Sequence, residues 1–292
     1  MLVAWQAGAP LTAPLLDRDA AHAAARRLIE AAARAGASAI LFPLLTTDSA
    51  AAQALRRAAA EFGLAPQTMN AHTRAMLDAT QQPDEAVRNA LGAKKLKELR
   101  RQRNRLADQG EVTFAIASSP TDILAALDGF LKLEASGWKG KRGTALAKDA
   151  GDTEFVRRSV SDLAANGKAE IVTLARNGSP VAAGILLRHG RRAYFFKIAY
   201  DEAAAKMSPG VQLCLDITRH LCTDPTVDDA DSTAITNHPM IDHIWRGRLQ
   251  VADVLVPTRP GAFPFHCYAG IISAHRAARE AARRVLHAVR SR

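Results

Sequence analysis

Ser208, Pro209 and Gly210 carry the most specific chemistry in this 292-residue chain. A hydroxyl, a proline with φ already set for a helix and a residue without a side chain compose a helix start. The first N–H groups of a helix are unpaired and carry partial positive charge, so they favour anions, phosphates above all. Gly210 lets a phosphate approach the backbone, and Lys206 lies four residues earlier to add charge. Ordinary capped helices begin the same way, so the order of the surrounding elements has to decide.

Proton transfer needs a base and an acid. Glu134, Asp201 and Asp231 are the available carboxylates, and Tyr200 stands just before the Ser208 turn as a candidate donor, although a tyrosine there more often simply packs. Trp138 with Lys139, Lys141 and Arg142 reads either as a lid that binds an anionic acceptor or as a surface loop whose tryptophan plugs the lobe. His238, Asp242 and His243 are spaced i, i+4, i+5, which puts His243 on a different face from His238, so no metal site is expected. Cys214, Cys222 and Cys267 show no metal or redox spacing, which favours a reducing compartment and the cytoplasm as the default location. The chain contains neither a G-x-S-x-G elbow nor a G-x-x-x-x-G-K-[ST] loop.

With 48% hydrophobic and 23% charged residues the composition is that of a folded globular chain rather than a disordered one. No apolar run approaches the about 20 residues needed to span a bilayer, and the opening MLVAWQAGAPL has no basic stretch of the kind that begins a signal peptide. The net charge of +10 is concentrated. Lys94–Arg105 holds seven Lys or Arg against Glu98, and His275–Arg292 six Arg against Glu280, so the remainder is close to neutral. A diffuse nucleic-acid-binding surface is therefore not expected. The Lys94–Arg105 helix reads as a connector, with tRNA or the 3′-phosphate of a nucleotide cofactor as the sharper alternative.

The elements that must position these residues follow from periodicity. Helices are expected over Asp19–Ala35 and Ser49–Phe62, with short strands at Leu2–Trp5 and Ala39–Leu44, giving a thin α/β lobe over residues 1–82. Pro83–Asp108 reads as one long helix, with acids in its first turn and arginines toward its end; residues 83–109 form the connector. From Gly110 to the end (110–292) the order is strand (Glu111–Ala117), helix (Thr121–Ala135), helix (Thr153–Asn166), then strands Glu170–Arg176, Val181–Arg188 and Ala193–Tyr200 with Asn177-Gly178 and His189-Gly190 as hairpin turns. The Ser208 helix, a strand at Val227–Thr233, a helix at Pro239–Arg246, strands at Val251–Val256 and Ala262–Tyr268 and a basic helix at His275–Arg290 complete it. Along Ala193–Tyr200, strict alternation puts Tyr194, Phe196, Ile198 and Tyr200 on one face and Phe195, Lys197 and Ala199 on the other.

That order resembles the GNAT fold of N-acetyltransferases, a mixed sheet flanked by helices. The resemblance narrows at Phe130–Leu146, FLKLEASGWKGKRGTAL, at Asn177–Ala183, NGSPVAA, at Ala199-Tyr200-Asp201 followed by Ser208-Pro209-Gly210, and at the basic stretch Arg100–Leu106. Together these are similar to the acetyltransferases related to the cellulose-biosynthesis protein CelD, relatives of the FemABX transferases, over about Pro83–Pro257. Relatives often carry D-x-G-x-x-x-Y-K after the fifth strand; here Asp231–Ala234 runs on to Asn237-His238-Pro239 instead. The resemblance implies two tandem GNAT-like lobes with the first shortened, the chain opening inside a strand.

It also implies direct transfer of an acyl group, acetyl in the first instance, from acyl-coenzyme A to an amine or hydroxyl of a small molecule, peptide or sugar. Lys197, Ile198, Ala199, Lys206, Ser208, Pro209, Gly210 and Val211 would hold the acyl-coenzyme A, Trp138, Lys139 and Arg142 the acceptor, and Glu134, Asp231 and Tyr200 would serve the proton transfers. An aminoacyl-tRNA-dependent transferase of the FemABX kind, with tRNA on the Lys94–Arg105 helix, and a non-catalytic protein that keeps the fold are the rivals.

Overall fold

A computed structural model of the chain describes residues 1–4 and 9–261, together with residues 267, 268, 270, 271, 274 and 278. The contacts divide it into two units, Met1–Thr73 with Gln250–Arg292, and Arg74–Leu249. These bounds differ from the divisions expected at residues 82 and 109: the second unit starts inside a strand that the sequence reading omitted, and residues 250–261 group with the first unit. The expected strand Ala262–Tyr268 and helix His275–Arg290 fall largely outside the described residues.

In the first unit, α1 (Ala21–Arg34) and α2 (Ala50–Glu61) turn alanine-rich faces toward β2 (Ala39–Thr46). The side chain of Ser49 caps α2 by accepting from Ala52 N. β1 (Leu2–Val3) pairs parallel with β2, and β9 (Gly247–Pro257) pairs antiparallel with it from Val251 to Pro257.

The second unit is entered within β3 (Gln67–Asp78). Its next element, α3 (Pro83–Ala107), is two helices meeting at Gly92, where φ is 70° and ψ 164°. Only glycine adopts that backbone readily, so the single expected helix is broken there. Then come β4 (Val112–Ala117), α4 (Pro120–Ser136), the short α5 (Trp138–Lys141), α6 (Ala150–Ala164), β5 (Ala169–Arg176), β6 (Ser179–His189), β7 (Arg192–Tyr200), α7 (Pro209–Thr223), β8 (Asp229–Asp231) and α8 (Ile241–Ile244). The sheet of this unit runs β3-β8-β7-β6-β5-β4. All its pairs are antiparallel except β7 with β8. Asn177 and Gly178 both take positive φ, 49° and 73°, as a tight hairpin turn requires.

Alternation along the strands divides the core between the two faces. Val172, Leu174, Ala182 and Leu186 pack with α3 and α7, while Ile171, Ala183 and Ile185 pack with α4 and α6. β7 departs from strict alternation. Ile185 pairs with Lys197 and Leu186 with Phe195, so Phe196 is an extra residue, a β-bulge. Phe195 and Ile198 consequently share the α7 face, and Phe196 and Ala199 the α4 face, which corrects the face assignment expected from a regular strand.

Candidate active site

The bulge lies where two strands separate. β7 and β8 pair at only three positions, Arg192 with Asp229, Ala193 with Ala230 and Tyr194 with Asp231. β8 ends there while β7 runs on to Tyr200. Thr233 spans the opening gap, its Oγ1 donating to the carbonyl of Phe195 at 2.6 Å. Beyond it a cavity of about 640 Å³ fills the gap, walled by Phe195, Ile198, Val211 and Met240 and reaching from Trp138 and Lys139 to Ser208, Pro209 and Gly210.

At the α7 end the site is made of backbone. Ser208 holds φ 51° and ψ 52° and its hydroxyl makes no capping bond, so the expected side-chain N-cap is absent. Its carbonyl takes the N–H groups of Val211 and Gln212, both at 3.0 Å, and no acceptor among the described residues takes that of Gly210. A Cβ on Gly210 would lie 3.4 Å from Tyr200 Cδ1 and 3.7 Å from Met240 Sδ, ordinary contacts, so packing alone does not demand glycine here. Lys206, expected beside this turn, is exposed and lies outside the cavity wall.

At the α4–α5 end the site is made of ionic side chains. Glu134, 2% exposed, ends α4. Its Oε1 accepts from Lys139 Nζ at 2.8 Å and its Oε2 from Leu146 N at 2.8 Å. Lys139 Nζ also donates to the carbonyl of Ile198 at 2.8 Å. In a strand the N–H and C=O of one residue point to the same edge, so the Ile198 N–H also faces the open side of β7. Gly140 permits this packing, because a Cβ there would lie 1.8 Å from the Ala135 carbonyl. Arg142 lies over the Trp138 ring at 5.0 Å and is not part of the wall; Trp138 is, at 41% exposure.

Lys197 lines the cavity on the same side. Burial, and next the Lys139 ammonium, hold its ammonium below the usual lysine range. His238, which the sequence reading weighed only as a metal ligand, is also in the wall. Its Nδ1 accepts from Met240 N at 3.2 Å and Ile241 N at 3.4 Å, so the neutral ring carries its proton on Nε2. Burial lowers its pKa, against a smaller pull from Asp242.

The expected site residues are therefore only partly assembled. Trp138, Lys139, Lys197, Ile198, Tyr200, Ser208, Pro209, Gly210 and Val211 meet at one cavity. Ala199 is buried against the α4 face instead. Glu134 sits behind Lys139 rather than in the wall. Asp231 is 0% exposed, with Oδ2 paired to the buried Arg74 and Oδ1 accepting from Thr233 N at 2.8 Å. Both carboxylates spend their oxygens on internal partners. Among the described residues no cluster of His, Cys, Asp or Glu could hold a metal ion, and no helix is long and apolar enough to cross a membrane.

A family model described as an acetyltransferase (GNAT) domain matches residues 93–234. The fold is a GNAT fold. The GNAT domain contains every residue of the β7 bulge, the Ser208 turn and the Glu134–Lys139 pair. Solved structures agree on the fold at low identity. The C-terminal domain of a putative lysylphosphatidylglycerol synthetase from Agrobacterium fabrum superposes with a TM-score of 0.58 and 16% identity, covering 86% of this chain and 77% of that one. The L-PGS structure from Bacillus licheniformis gives 0.53 and 14% over 86% and 77%, and FemX 0.51 and 9% over 80% and 76%. No curated protein matches the chain.

Proposed function

We propose that the GNAT domain transfers an acyl group from acyl-coenzyme A to an amine or hydroxyl acceptor, with the thioester in the gap between β7 and β8. The observation that carries this reading is the parting of the two strands after Tyr194 and Asp231, with a cavity running from the gap to the start of α7. A volume of about 640 Å³ suits a ligand arm. Its apolar walls fit a pantetheine chain, and the untaken Gly210 N–H at a helix start fits a pyrophosphate. The Ile198 N–H on the open edge of β7 is placed to donate to the thioester oxygen as negative charge develops there. The acceptor's nitrogen or oxygen attacks the carbonyl carbon, its proton passes to solvent water, the C–S bond breaks, and the thiolate takes up a proton. Tyr200 and the Nε2–H of His238 are candidate donors in the wall. The motif residues Gly137–Gly140 and Ala199–Asp201 favour the CelD-like group within the fold.

A second reading has its own observation. α3 packs along α7 and the 3-10 segment Glu202–Met207, through Gln212 Nε2 to Leu99 O at 2.8 Å and Arg103 to Asp216 at 2.7 Å. A groove lined by Lys94, Lys95, Lys97 and Arg101 lies on it. An aminoacyl-tRNA donor would lay phosphates there. Thermal melts with millimolar acetyl-, succinyl- and longer acyl-coenzyme A separate the two: at 100 times its dissociation constant the true donor adds about 2.7 kcal/mol of stability. Melts unmoved by all of them, together with salt-dependent retention of tRNA, would replace the first reading with the second.

A further inference from the structure

We infer that the acceptor carries an anionic group, a carboxylate or a phosphate, which seats between Lys139 and Lys197; this deepens, and rests on, the acyltransfer reading above. A charge withdrawn from water is costly unless paired. At the α4–α5 end the charges do not balance among themselves. Glu134 and Lys139 neutralise each other at 2.8 Å and Lys141 pairs with Glu202 at 2.6 Å, while the Lys197 ammonium finds no acceptor among the described residues. Its neighbours from every packed element are accounted for. α4 offers Glu134, already bound to Lys139 and Leu146 N; α5 offers Lys139, of like sign; α6 offers Asp152, which is exposed. Within β7 itself the ammonium lies over the Phe196 ring at 5.4 Å, a weak substitute for an anion.

Lys139 has the complementary deficit. An ammonium has three donors, and two go to Glu134 and the Ile198 carbonyl. The third N–H and the whole Lys197 head are left, in a wall that is otherwise mainly apolar. Two positively charged donors on neighbouring elements, Lys139 held by the buried Glu134 and Lys197 beside it, form a receptor for one anion. The donor's own phosphates have a separate place at Gly210. Glu134 is in this account a positioning residue: it fixes Lys139 and touches neither reactant.

The test uses paired probes that differ only in the anion: glycine against glycinamide for a carboxylate, and glucosamine 6-phosphate against glucosamine for a phosphate. Each is titrated into the full-length protein saturated with acetyl-coenzyme A, following the melting temperature and the release of coenzyme A thiol. At least one anionic member should act at about tenfold lower concentration than its neutral partner, the usual scale for a hydrogen bond to a charged group. Lys197→Met should abolish that preference and Lys197→Arg should keep it. Lys197→Gln serves if the methionine variant fails to fold. The inference is overturned if neither anion is preferred, if Lys197→Met keeps the preference, or if it weakens acetyl-coenzyme A binding instead. Loss of the acetyl-coenzyme A shift in the parent protein would count against the acyltransfer reading alone.

Discussion

The two ends of the cavity solve the problem of holding charge in opposite ways. At the α7 end the donor is a peptide N–H, that of Gly210, set by a turn in which the Ser208 side chain makes no capping bond. At the α4–α5 end the donors are the ammonium groups of Lys139, held by the buried Glu134 carboxylate, and Lys197. Backbone donors cannot be titrated or swung aside, which suits a pyrophosphate common to every acyl-coenzyme A. Side-chain donors change with one substitution, which in the proposed reading suits the acceptor.

Breaking the ionic end should cost most. Glu134→Ala leaves Lys139 half-buried without its partner and Leu146 N unsatisfied, so chemical denaturation should show a loss of about 3 kcal/mol, the scale for one member of a buried pair. Acetyl-coenzyme A affinity of the folded fraction should survive. Next comes the backbone end. Gly210→Glu places a carboxylate where the phosphates belong, and its Cβ meets only ordinary contacts. Calorimetry should show affinity falling about 100-fold, or about 2.7 kcal/mol, while the melting temperature moves little, because the first helical turn accepts an acid well.

A third ionic cluster, remote from the cavity, sharpens the contrast. Arg188 bridges Glu170 at 2.9 Å and Asp224 at 2.6 Å, and His220 meets Glu170 at 2.9 Å, so every charge there has a protein partner. Burial works against the charge on Asp224, but Thr226 and Arg188 outweigh it and lower its pKa to about 2. Burial likewise opposes Glu170, and His220 and Arg188 win. Both carboxyls have depressed folded values, so their stability is present above the unfolded values and lost as pH falls through the folded ones. Unfolding followed from pH 5 to pH 2 should show that decline, and Arg188→Met should flatten it by about 1 kcal/mol. The smallest effect belongs to Ser208. Ser208→Gly relieves a left-handed serine and should raise stability by up to about 1 kcal/mol at the helix start, visible as a higher melting temperature.

The sequence showed the backbone end better than the ionic one, for physical reasons. Proline at the first helical position and glycine after it are local signals, and α7 begins at Pro209 as expected. The order of elements from Val112 to Thr223 was legible because each strand and helix keeps its own period. β3 was missed because its buried face includes Arg74, a charge whose partner, Asp231, is 157 residues away. β8, with the sequence Asp-Ala-Asp, lies within the expected strand Val227–Thr233, but its ionic partners Arg192 and Arg74 are ones no local pattern reveals. The Phe196 bulge is set by pairing with β6, so alternation alone grouped Phe196 with Ile198 and Phe195 with Ala199, pairs that lie on opposite faces. Glu134 was singled out as a candidate base, and only the fold shows that Lys139 and Leu146 N occupy its oxygens.

The central claim is that one cavity holds acyl-coenzyme A with its phosphates on the backbone at Gly210. Calorimetric titration of the parent protein and of Gly210→Glu with acetyl-coenzyme A and with S-acetylpantetheine, which lacks the phosphates, tests it most directly. The parent should bind acetyl-coenzyme A at least about 100-fold more tightly than S-acetylpantetheine, and Gly210→Glu should erase most of that difference while leaving the S-acetylpantetheine affinity in place. Equal affinity of the parent for both ligands, or a full difference persisting in Gly210→Glu, would contradict it.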